Sequence, residues 1–259
     1  MSVITAEIYS NMLNQYTTIR AIIPVDSENG ITRKPLKTLY LLHGVKSGLN
    51  DWIHLSSIIE LAYKHSIAII MPQGDNDFYI DYEKNEKRLG QFIGRELVEI
   101  TRALFPLSEK YEDTYIGGIS VGGYGALRNG LKYNKTFSKI IAFSSVIVTS
   151  NLQMHDDDSP SFFLRKSFLR TVFGDWDKLS ETENDLNTLI NKVKNETGSL
   201  PPIYFACGSQ DVFIDSNREY YALAKNLGSN CVFNELEGDH NWRFWNAVLE
   251  GSIEWAAQN

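Results

Sequence analysis

Cysteine is nearly absent from this 259-residue chain: Cys207 and Cys231 are the whole supply. Two thiols are too few for a disulfide framework or a cysteine-rich zinc site, and they read as reduced residues of a cytoplasmic protein. Proline is sparse at seven residues, which excludes collagen-like and proline-rich chains. Long apolar runs are missing too. The strongest, Ile67 to Pro72, falls far below the roughly 20 residues of a membrane helix. The first basic residue is Arg20, so no positively charged leader precedes an apolar stretch and no signal peptide is expected. Positive charge is also short overall, with 25 Lys and Arg against 32 Asp and Glu. A net charge of −7 disfavours nucleic acid and anionic membrane as partners.

What is present is a globular composition, 43% hydrophobic and 22% charged, at a length that one α/β domain can use entirely. Residues 6–23 read as two strands around a polar turn at Asn11 to Gln15. Thr38 to Leu42 and Ile67 to Met71 are short continuous apolar runs, the pattern of strands buried on both faces. Between them Leu55, Ile58, Ile59 and Ala62 recur at helical spacing, and Ile93, Leu97, Ile100 and Leu104 repeat it before Pro106. Tyr115 to Ile119, Ile140 to Phe143, Ile203 to Cys207 and Cys231 to Leu236 supply later strands, followed by a helix carrying Trp242, Trp245, Leu249, Ile253 and Ala256. This alternation predicts a single α/β domain over 1–259, a central mostly parallel sheet flanked by helices. Residues from about 145 to 200 break the alternation after the sixth strand and predict a small lid-like insertion.

Chemistry concentrates at Gly118-Ile119-Ser120-Val121-Gly122. G-x-S-x-G alone arises by chance in a chain this long with a probability of roughly 0.1. Here an apolar strand precedes Ser120 and a small-residue helix start follows it, the context of a nucleophile elbow. A serine nucleophile needs a base, and the base an orienting carboxylate, in the chain order Ser, acid, His. Only His155 and His240 follow Ser120, and His240 stands between the last strand and the last helix, while His155 sits in the irregular insertion. The acid is expected just past the penultimate strand, at Asp211, with Asp215 the alternative unless it caps the following helix. Oxyanion donors are expected at the backbone N–H of Val121 and, from the loop His43-Gly44-Val45-Lys46, of Val45. His43 itself reads as a brace of that loop. Phe162, Phe163 and Phe168 could line a pocket or simply pack. His155 with Asp156 to Asp158 could ligate a metal, but a solvated charge run is the commoner meaning of such a cluster. No P-loop or dinucleotide fingerprint is found, so a nucleotide cofactor is not supported, and a serine triad calls for neither metal nor organic cofactor.

Taken together, Leu41-Leu42-His43-Gly44, Asp51-Trp52, Gly117 to Ala126, Gly208-Ser209-Gln210-Asp211 and Asp239 to Trp245 resemble the esterase D family of α/β-hydrolases. Within it, the length and the opening strand pair look most like bacterial tributyrin esterases of the EstA type. The resemblance spans residues 6–255 and implies an α/β-hydrolase domain with nucleophile Ser120, acid Asp211, base His240 and oxyanion donors Val45 and Val121. It also implies a serine carboxylesterase acting on small-molecule, short-chain acyl esters without a cofactor. Relatives on the same triad include S-formylglutathione hydrolases, feruloyl and acetyl-xylan esterases and acyltransferases. A non-catalytic binding protein is the reading from another class, disfavoured by the intact triad. Relatives often associate, so a homo-oligomer is compatible with the sequence. Two positions depart from the family pattern: Asp239 stands where Gly is usual, and Lys46 where a small residue is commoner.

Overall fold

The computed structural model describes residues 2–27, 30–31, 35–82 and 86–258. The opening strands β1 (Ser2–Ser10) and β2 (Gln15–Ile23) form the expected hairpin, and a small two-stranded ribbon, β3 (Asp26–Ser27) with β4 (Gly30–Ile31), follows. Then come β5 (Lys37–Leu42), helices α1 (Asp51–Leu55) and α2 (Ile58–Lys64), and β6 (Ile67–Pro72). A helical stretch runs through α3 (Leu89–Gln91), a π turn at Phe92–Glu96 and α4 (Leu97–Leu104). The centre is β7 (Thr114–Ile119), α5 (Val121–Lys132) and β8 (Lys139–Phe143). After the excursion with α6 (Lys166–Phe173) and α7 (Leu186–Thr197), the chain closes with β9 (Ile203–Gly208), α8 (Ile214–Asn226), β10 (Cys231–Leu236) and α9 (Trp242–Ala257).

The main sheet has eight strands in the order β1-β2-β6-β5-β7-β8-β9-β10. The pairings β1–β2 and β2–β6 are antiparallel, and the rest are parallel. The continuous apolar runs have the cause expected of them, since alternate residues of one strand feed opposite layers. On β5, Tyr40 and Leu42 join a core with Leu127, Leu131 and Ile190, while Leu39 and Leu41 join another with Trp52, Leu61 and Ile253. Helices α4, α5 and α7 therefore cover one face, and α1, α2 and α9 the other.

Two local expectations need correction. The Leu55 to Ala62 stripe is two helices, because the chain is extended at Ser56, whose hydroxyl turns back to accept the Ile58 N–H; Leu55 ends the first helix and is exposed. The stripe ending at Leu104 passes through a π turn at Phe92–Glu96, and Leu104, the last residue of α4, is exposed while Leu97 is buried.

The excursion between β8 and β9 divides into two parts. Its second half behaves as an ordinary sheet-covering layer: Leu186, Leu189 and Ile190 of α7 are fully buried, and Asp185 caps that helix on the N–H groups of Asn187 and Thr188. Tyr124 of α5 ties it down by donating to the Asn184 carbonyl at 2.8 Å. The first half, around residues 147–164, overhangs the carboxyl ends of the strands.

Candidate active site

Three side chains meet at those strand ends. Ser120 follows β7 directly and caps α5, with φ 56° and ψ −120°, a conformation that costs a non-glycine residue of order 1–3 kcal/mol. The glycines around it are dictated by space. A Cβ on Gly118 would lie 2.3 Å from the Gly122 carbonyl oxygen, and one on Gly122 would lie 2.5 Å from the His43 carbonyl oxygen. The strand and helix can fold back this sharply only without those side chains. The turn leaves the Val121 N–H in the first turn of α5, where helix geometry provides no intrahelical acceptor.

His240 sits between β10 and α9, where Asn241 caps α9 by accepting the Arg243 and Phe244 N–H groups at 3.0 and 3.2 Å. Its Nε2 lies 3.0 Å from Ser120 Oγ, and its Nδ1 lies 2.9 Å from Asp211 Oδ2. Phe213 and Trp245 flank the imidazole edge to face, at centroid distances of 5.3 and 5.2 Å. Asp211 is 2% exposed, and its other oxygen accepts the Phe213 N–H at 2.9 Å. Burial alone would raise this carboxyl. Hydrogen bonds from His240, Ser144 and the Phe213 amide, with the attraction of His240, outweigh it and hold the group below the ordinary carboxylate range. An ionised Asp211 can only accept, so Nδ1 of His240 carries the proton and Nε2 offers a lone pair to the serine hydroxyl. That arrangement can draw a proton from Ser120 and stabilise the imidazolium that results.

Asp215 lies elsewhere. It faces solvent in the first turn of α8 and pairs with Arg218 at 3.0 Å, and the cap position belongs to Phe213, so the capping role considered for Asp215 is not the one it plays. Asp239 binds back on the His240 backbone N–H at 2.7 Å, fixing the loop rather than the ring.

The loop expected to supply the second oxyanion donor runs beside the serine: a Cβ on Gly44 would stand 3.4 Å from Ser120 Cβ. Val45 is partly buried there, one residue beyond Gly44. His43 braces the loop. Its Nε2 accepts the Gly74 N–H at 3.0 Å, so its Nδ1 donates to the Gly44 carbonyl at 2.8 Å. Burial pushes this imidazole down, which keeps it neutral in that role. Tyr79, unmarked by any periodicity, donates its buried hydroxyl to the His43 carbonyl at 2.8 Å. Its ring occupies the space a side chain at Gly74 or Gly125 would need, and those two glycines are the only trace it leaves in the sequence. Lys46 is exposed and holds its ammonium over the Phe162 ring at 5.6 Å.

A cavity of about 870 Å³ opens beside His240, between the 147–164 overhang and α8. Phe163 lines it, whereas Phe162 and Phe168 pack on each other at 5.1 Å. The acidic run nearby is committed locally: Asp156 pairs with Lys166 at 2.7 Å, Asp157 accepts the Ser167 N–H, and His155 meets Ser159. Among the described residues, the cluster with ligand atoms close enough to share a cation is His65, Glu250 and Glu254, far from Ser120 in the fold and already carrying the Lys64 ammonium on Glu250. Among those residues no helix is long and apolar enough to cross a membrane.

The chain is similar to known proteins in sequence and in fold. An acetyl esterase of Caldicellulosiruptor saccharolyticus is 42% identical over 263 residues, covering 100% of this chain and 99% of that one. The substrate-bound structure of a fluorophosphonate-binding serine hydrolase F from Staphylococcus aureus superposes with a TM-score of 0.85 at 26% identity, covering 100% and 99% of the two chains. An S-formylglutathione hydrolase from the same organism gives 0.83 at 26% identity, covering 99% of each. A sequence model of the Esterase family matches residues 10–255, and the chain belongs to that family.

Proposed function

We propose that the protein is a serine carboxylesterase that hydrolyses short-chain acyl esters through an acyl-enzyme. The observation that carries this reading is the unbroken hydrogen-bonded sequence Ser120–His240–Asp211, with the serine on its strained turn. His240 takes the hydroxyl proton as Ser120 Oγ attacks the ester carbonyl. The Val121 and Val45 N–H groups receive the negative charge that develops on the carbonyl oxygen, and the N-terminus of α5 adds its dipole. Asp211 holds the imidazole in its reactive tautomer. The imidazolium then protonates the departing alcohol, and a water deprotonated by the same histidine cleaves the acyl-enzyme. The acetyl esterase at 42% identity supports a small acyl group.

The direct test is Ser120→Ala assayed on p-nitrophenyl acetate, butyrate and octanoate. Turnover should fall by at least ~10³-fold with folding unchanged, and the unaltered protein should prefer the two shorter esters. A Ser120→Ala protein with near-normal turnover would remove the nucleophile from this account. A second reading, thioester hydrolysis, draws on the structural neighbour named as an S-formylglutathione hydrolase. Comparing kcat/KM for S-formylglutathione and for acetyl esters separates the two.

A further inference from the structure

The cavity beside His240 is far larger than an acetyl group needs, and it is on one particular side of the reacting centre. Its lining includes His240 and Phe213 but not Ser120, Val45 or Val121. In ester cleavage the C–O bond breaks with its electron pair going to the alcohol oxygen, which takes its proton from His240 Nε2. The alcohol must therefore lie against His240, while the acyl carbonyl faces the backbone donors. Apolar walls come from Leu152 and Phe163 of the overhang and Leu223 of α8, interspersed with neutral amide and hydroxyl groups. Val212, 80% exposed, extends that apolar surface at the mouth. Glu219, exposed on α8, is the one carboxylate among the described lining residues, and no Lys or Arg is among them.

We infer that this cavity holds the alcohol half of the substrate and selects a bulky, amphipathic alcohol that carries no negative charge. The inference rests on the esterase reading above and narrows it. A leaving group with free carboxylates, such as a glutathione thiol, would meet Glu219 with no Lys or Arg in the wall to compensate, and like-charge juxtaposition is an effective means of exclusion.

The experiment keeps the acyl group constant. Ethyl acetate serves as the small-alcohol reference, beside 2-phenylethyl acetate and its para-carboxylate and para-trimethylammonium analogues. Glu219→Lys should move the anion-to-cation ratio of kcat/KM about tenfold toward the anion, as a two-unit charge reversal at an exposed site allows. Leu223→Trp should raise KM for 2-phenylethyl acetate while the ethyl butyrate to ethyl acetate ratio stays constant. An acyl-chain ratio that moves in Leu223→Trp, or a charge ratio that ignores Glu219→Lys, overturns the assignment. Ethyl acetate hydrolysis that depends on Ser120 reads the esterase proposal separately. If it is present and the charge ratio does not move, only the alcohol-site inference falls; if it is absent, both fall together.

Discussion

Gly208 and Gly238 bring the acid loop and the histidine loop into backbone contact: a Cβ on Gly208 would stand 2.3 Å from the Gly238 carbonyl oxygen. Two hydrogen bonds fasten the approach, Ser209 N–H to the Leu236 carbonyl and Gln210 N–H to the Gly238 carbonyl, both 2.9 Å. The Asp211–His240 bond is therefore set by backbone contact between neighbouring strands before either side chain takes part. Gly208→Ala should push the loops apart. A shift of about 1 Å between catalytic groups can cost about 10²-fold, so kcat should fall by that order. The overpacking should cost about 1–3 kcal/mol, with a drop in Tm of several degrees. A variant with lowered Tm but unchanged kcat would show that the loops hold their alignment by other means.

The two aspartates near that loop should behave in opposite ways. Asp211→Asn removes the acceptor that fixes the His240 tautomer, and kcat should fall by ~10⁴-fold on the serine-protease precedent. Asp215→Asn breaks only a solvent-exposed pair with Arg218, and kcat should stay within twofold of the starting value. Measuring kcat for both side by side decides the assignment, and the reverse ranking would move the acid four residues along.

The strands, and the loops that bring Ser120, Asp211 and His240 together, were legible in the sequence from the positions of the strand ends. Buried parallel strands require continuous apolar runs; Ser120 follows one directly and Asp211 lies three residues past another, while His240 stands in the loop after β10, a partly exposed edge strand. The supporting structure was not legible. Tyr79 reaches His43 from an irregular loop, and Trp245 reads as one more apolar residue on the α9 stripe although its ring faces His240. The break at Ser56 was hidden because Leu55 happens to continue the spacing of the next helix. Its exposure comes from tertiary position, which periodicity does not carry.

Trp245 lends itself to a test of positioning. Its indole N–H donates to the Ser144 hydroxyl at 3.1 Å while its face meets the imidazole, and it does not line the cavity. Trp245→Phe keeps an aromatic ring and deletes the buried hydrogen bond, a loss of about 1 kcal/mol and a few degrees in Tm. We expect kcat to fall several-fold with KM unchanged, because this ring lies outside the cavity lining. A rise in KM with kcat preserved would place Trp245 in substrate binding instead.

Acid should expose the energetic role of Asp211. Its carboxyl is held below the ordinary range in the folded state, whereas the unfolded chain binds that proton near pH 3.9. The folded form thus binds the proton more weakly than the unfolded form, and stability falls as pH drops. The contribution is fully present above the unfolded value and is lost progressively as pH falls through the lower folded value. Asn does not titrate, so the stability difference between the unaltered protein and Asp211→Asn isolates this effect. The difference should hold from pH 7 to pH 5. Below about pH 4 it should shrink. Urea unfolding of both proteins at pH 7, 5 and 3 measures it. A difference that stayed constant down to pH 3 would mean that the hydrogen bonds around Asp211 favour its neutral form as much as its charged one, against the acceptor role that the His240 geometry gives it.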